Sequence, residues 1–164
     1  MRRLALALLL TLVSATAHAA EDELVLAVEP GWALLTTDPV EQHGGGGGLS
    51  AWLGLNDELW LALSAGASAV PASDPLPSAV LYEAFGGIVA ALDVFSTIPF
   101  LEAQAGFVAT KDALSPTIRF GVGADYFITR TITVGAVVRV RPVDEAIGGT
   151  LVSAGARLAL RLEL

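Results

Sequence analysis

Cysteine is absent from the 164 residues. No disulfide framework can be written. A bacterial lipoprotein anchor, which needs an acylated cysteine at the cleavage site, is excluded as well. Histidine occurs only at His18 and His43, so no metal site of ordinary ligand spacing can be assembled. No metal, no cofactor and no catalytic residue is assigned. A G-x-S-x-G elbow is missing too. Bases are scarce: nine Lys and Arg stand against 17 Asp and Glu, a net charge of −8. Nucleic acid is read through clustered cations and is not expected as a partner. Past the N-terminus, no helical period and no apolar run of membrane-helix length occurs.

The one long apolar run opens the chain. Met1-Arg2-Arg3 is a positive lead, Leu4 to Val13 is apolar, and Ala17-His18-Ala19 fits an A-x-A cleavage site. That order is a secretory signal peptide over 1–19. Cutting after Ala19 leaves 145 residues, 20–164, with 7 bases against 17 acids and a charge of −10. Yet 54% of the whole sequence is hydrophobic. An exported chain this apolar, with no membrane helix, fits a barrel whose greasy face points outward.

The tail carries the clearest pattern. Thr117–Thr129, Ile132–Val140 and Val152–Leu164 alternate apolar residues with Gly, Ala and charges. A period of two means strands. The same alternation gives strands at Leu24–Thr36, Leu49–Leu55, Glu58–Val70, Ala79–Asp93 and Pro99–Thr110. Pro30 lacks a donor and marks a bulge or a distorted ladder. The five glycines Gly44–Gly48 end what reads as the longest loop, Thr37–Gly48, because such a run is costly to order. Connections after strands two, four and six read as short, the others as longer. The expected fold is all-β: an eight-stranded antiparallel up-and-down transmembrane barrel with both termini periplasmic, in the outer membrane and in contact with its lipids. Trp32, Tyr82, Phe107, Phe120 and Tyr126 fall on the apolar parity and suggest interface girdles. Trp52 could face either way.

The polar parity is assigned to the lumen. It carries Glu29, Glu83 and Glu102 on one arc. Arg119, Asp125, Arg139, Arg141, Arg157, Arg161 and Glu163 lie on the other. An eight-stranded interior is only wide enough for side chains to fill, and buried charges must pair. The expectation is a cross-lumen ion-pair network, with Glu29–Arg157 as its most specific member. Rings of charge can make a selective pore; here the narrow interior favours a plug.

Strand count, turn rhythm and this charged lumen resemble the OmpA/OmpX-type eight-stranded outer-membrane barrels. The segment Asp125-Tyr126-Phe127-Ile128-Thr129-Arg130-Thr131-Ile132-Thr133-Val134-Gly135-Ala136 is the best local match. The resemblance implies a structural, adhesive or envelope role, insertion by the barrel assembly machinery, and no catalytic residue. Two rivals exist. A soluble exported, lipocalin-like barrel binding a small apolar ligand needs the facing inverted, and Leu, Ile, Phe and Val on every strand would crowd it. A lipid A-modifying acyltransferase is resembled in three residues, His43 in the first outer loop and Ser73-Asp74 in the second, with the dipeptide order reversed.

Overall fold

A computed structural model describes residues 23–37, 40–72, 78–94, 96–111, 113–143 and 149–164. Eight strands follow in order: β1 Glu23–Thr37, β2 Val40–Gly54, β3 Leu59–Val70, β4 Ala79–Ala91, β5 Thr97–Ala109, β6 Leu114–Phe127, β7 Ile132–Val143 and β8 Gly149–Glu163. Each pairs antiparallel with its neighbour, and β1 pairs with β8 to close the barrel. Closure leaves no sheet edge unpaired, the condition for strands in lipid. Among the described residues no helix occurs.

The facing follows the alternation. Leu26, Val28, Leu61, Leu63, Ile88, Leu101, Ile118, Val122, Val138 and Leu158 point outward and are 42–62% exposed. Trp32, Tyr82, Phe107, Phe120 and Tyr126 share that wall. Glu29, Glu102 and Arg157 point inward and are 2–6% exposed. The inverted arrangement required of a lipocalin-like calyx is therefore not the one adopted.

The glycine run departs from expectation. Gly44–Gly48 lie inside β2, paired with Ala33–Glu29 of β1, and Gly45–Gly48 also pair with Ala69–Gly66 of β3. A ladder needs only backbone N–H and C=O, so two flanking strands override the entropic preference for loop. Inward positions here also demand the absence of a side chain. A Cβ at Gly46 would sit 2.7 Å from Ser68 Oγ, and one at Gly48 2.8 Å from the Ala65 carbonyl oxygen. At outward Gly47 the nearest atom would be 3.3 Å away. Inward glycines are the bends of a tightly curved wall.

The connections also depart from expectation. The first connection is tight, since Thr37 pairs with Val40. The stretch between β5 and β6, 110–113, is no longer than 55–58 between β2 and β3, so the short–long rhythm is weaker than read. At Pro30 the distorted ladder is found and the bulge is not. The β1–β8 register is the same on both sides of it, Val28↔Leu158 and Gly31↔Gly155, with the ladder interrupted between.

Candidate functional site: the barrel lumen

The lumen is built in three layers. At the end where β1 begins and β8 finishes, Val25, Trp52, Trp60, Val89, Ile98 and Phe100 form a buried apolar cluster, with Phe127 packed against it. At the opposite end Leu35, Val70, Leu81, Phe85, Val108 and Leu151 form another. Charged side chains fill the space between them.

Arg139 of β7 sits at the centre. It donates through Nε to Glu102 Oε1, through Nη2 to Glu102 Oε2 at 3.2 Å, and through Nη1 to Glu29 Oε2 at 2.5 Å. Glu29 of β1 and Glu102 of β5 stand half a barrel apart, so one guanidinium ties opposite walls. Glu29 Oε1 accepts from Arg157 Nε at 3.1 Å and from Ser50 Oγ at 2.8 Å. Arg157 Nη1 donates to Asp125 Oδ2. Arg119 donates through Nη1 to Glu83 at 3.0 Å, and through Nη2 to Ser64 Oγ at 2.6 Å and to Gln104 Oε1. Arg141 Nη2 lies 3.1 Å from Glu83 Oε2. Arg161 is bidentate to Glu23.

The inventory balances. Among the described residues, Arg119, Arg139, Arg141, Arg157 and Arg161 are matched by Glu23, Glu29, Glu83, Glu102 and Asp125. A near-neutral interior is the arrangement in which buried charge costs least. Four of the arginines also lie over aromatic rings: Arg119 on Phe85 at 4.3 Å, Arg141 on Phe85 at 5.9 Å, Arg157 on Trp52 at 3.7 Å and Arg161 on Phe127 at 5.0 Å. Flat guanidinium faces suit this stacking.

The wall facing these long side chains is made of small residues. Gly31, Gly46, Gly48, Ser64, Ser68, Ser153 and Gly155 line, with Glu29, Glu83, Arg119 and Arg139, a void of about 50 Å³. That is space for ordered water, too little for a continuous aqueous channel.

The structure brings Glu29, Glu83, Glu102, Arg119, Asp125, Arg139, Arg157 and Arg161 into one lumen. Glu163 does not join them; it is exposed at the end of β8, opposite Glu23. Glu23, which reads as part of an acidic lead in sequence, is the partner of Arg161. Trp52 faces inward. Trp60, Phe85, Phe100 and Phe127 sit on the lumenal parity with it, and carrying that parity through every strand would have found them. His43 is not in a loop. It lies in β2 opposite Leu34, and its ring stacks on Trp32 with centroids 5.5 Å apart. It therefore stands on the outer wall, away from the lumenal charges. Ser73 and Asp74 lie outside the described residues. Among the described residues no group of His, Cys, Asp or Glu could hold a metal ion.

The sequence matches no family model and no curated relative. Solved structures match in shape. Neisserial surface protein A superposes with a TM-score of 0.66 at 17% identity, over 90% of this chain and 100% of that one. OprG, an outer membrane protein of Pseudomonas aeruginosa, gives 0.61 at 11% identity, over 90% and 99%. The fold is that of the OmpA/OmpX-type eight-stranded outer-membrane barrels. The same fold also carries an enzyme: the outer membrane enzyme PagL superposes at 0.52 with 16% identity, over 84% and 98%. At these identities the likeness shows the fold alone.

Proposed function

We propose that this chain is an exported, non-enzymatic barrel of the bacterial outer membrane, with a sealed, charge-filled lumen and an envelope-structural role. The observation that carries it is the layered lumen. Paired charges occupy the middle, apolar clusters close both ends, and the outer wall is greasy all round. Such a wall needs lipid, and such a lumen conducts nothing. Residues 1–19 act as the signal peptide, the assembly machinery inserts the barrel, and both termini rest in the periplasm. Outer-membrane neighbours of the same fold support the location. The connections are short, so any surface partner meets the strand ends and rim rather than long loops.

The test is to fractionate expressing cells and run the membranes unheated and heated in detergent gels. A heat-modifiable band in the outer membrane, and no conductance steps from the purified barrel in planar bilayers, is the expected pair of results. Recovery in the soluble periplasmic fraction would overturn the location. Regular conductance steps would overturn the sealed lumen.

A further inference from the structure

Beneath the ion-pair layer lies a second, smaller void of about 10 Å³, lined in part by Trp52, Trp60, Asp125 and Thr133. This is about the volume that one water sphere fills. The same four residues each hold a buried polar atom: Trp52 Nε1 and Trp60 Nε1 have no hydrogen-bond partner, and the Asp125 carboxylate and Thr133 hydroxyl meet each other with bonding capacity to spare. Each residue is at most 4% exposed. Buried polar atoms are rarely left unpaired, because each orphan costs the full desolvation of its group.

We propose that this void is a built site for one water molecule, which ties β2 and β3 to β6 and β7 across the barrel. The chemistry of the four atoms selects the ligand. Two indole N–H groups can only donate, and a carboxylate oxygen can only accept. The threonine hydroxyl can do either. Water accepts from both indoles and donates to Asp125 and Thr133, which uses its two lone pairs and its two hydrogens. A cation would face two N–H donors. An anion would face the carboxylate. Neither fits the full set.

The surroundings hold the site closed. Arg161 lines it on the side of the barrel mouth and is itself clamped by Glu23. On the other side Asp125 is fixed by Arg157 through its second oxygen, which leaves Oδ1 for the water. Trp52 is held under the Arg157 guanidinium, and Trp60 lies 5.5 Å from that of Arg161. The cradle is thus assembled from side chains that the ion-pair layer already positions. Because Trp52 and Trp60 lie on one wall and Asp125 and Thr133 on the facing one, the water replaces a direct contact that no side chain makes.

Crystallography of the refolded barrel, at a resolution that shows ordered solvent, tests the site. A solvent peak within hydrogen-bond distance of at least three of the four atoms is expected. In Thr133→Val, which keeps the volume but removes one acceptor, its occupancy should fall at least twofold. Should that variant not fold, Trp60→Phe is read the same way. A dry void in the native barrel, a peak touching fewer than three of the atoms, or an unchanged peak in the variant would each overturn the proposal.

Discussion

Arg139 Nη1 donates to Glu29 Oε2 at 2.5 Å, although 110 residues separate the two. The same guanidinium holds Glu102 on the opposite wall. Removing it would leave two buried carboxylates competing for fewer cations. Breaking a buried ion pair from one side costs about 3–5 kcal/mol, whereas replacing all partners by apolar groups is often neutral. Arg139→Ala should therefore lower the urea midpoint of the refolded barrel strongly. The double variant Glu102→Gln, Arg139→Met, which removes one charge of each sign and leaves Glu29 with Arg157, should recover most of that loss. A midpoint unmoved in Arg139→Ala would mean the network is not a structural tie.

The outer wall gives a test of the solvent it meets. Leu63 is 62% exposed near the middle of β3. In water, a Leu63→Arg change at so open a site would move stability by no more than about 0.5 kcal/mol. At a bilayer midplane it costs about 2–4 kcal/mol. Unfolding titrations in lipid vesicles should show the larger loss. A neutral result there would contradict a lipid-facing wall.

Tryptophan fluorescence reads the facing directly. Trp32 is 42% exposed on the outer wall, and Trp52 and Trp60 are 3% and 4% exposed inside. Vesicles of brominated lipid should quench only part of the emission. Trp32→Phe should abolish that quenching, while Trp52→Phe should leave it intact.

Adjacent glycines in β2 should respond in opposite ways. At Gly46 any Cβ meets Ser68 of the next strand, whereas at Gly45 the nearest atom would be 3.9 Å away. Gly46→Val should abolish the heat-modifiable folded band, and Gly45→Val should retain it. Equal tolerance at both positions would remove the argument from wall curvature.

Much of this lumen was legible in the sequence because strand parity is binary. Once Ile118, Phe120 and Val122 are taken as outward, Arg119 must point in, and the same rule places Arg139, Arg157 and Arg161. The failures have physical causes. Gly44–Gly48 carry no side chain, so they carry no alternation, and only the partner strands reveal them as part of β2. Trp52 reads either way, and Trp60 and Phe85 do not stand out, because aromatic residues are expected on the greasy parity, while a guanidinium-lined interior also accepts flat rings. Glu23 stands at the start of its strand, where sequence does not show whether a side chain closes the mouth or trails into solvent. The void below the ion pairs depends on side-chain packing, which no residue pattern encodes.

The pairing of first strand with last has a consequence in time. Glu29 waits for Arg157, 128 residues later, and Glu23 for Arg161, 138 residues later. Closing so long a loop is entropically slow. Until β8 docks, these carboxylates lack those partners. A half-made sheet would therefore carry uncompensated charge into the bilayer. Insertion and closure should then proceed as a single concerted event, with the last strand to leave the ribosome licensing the crossing of all the others.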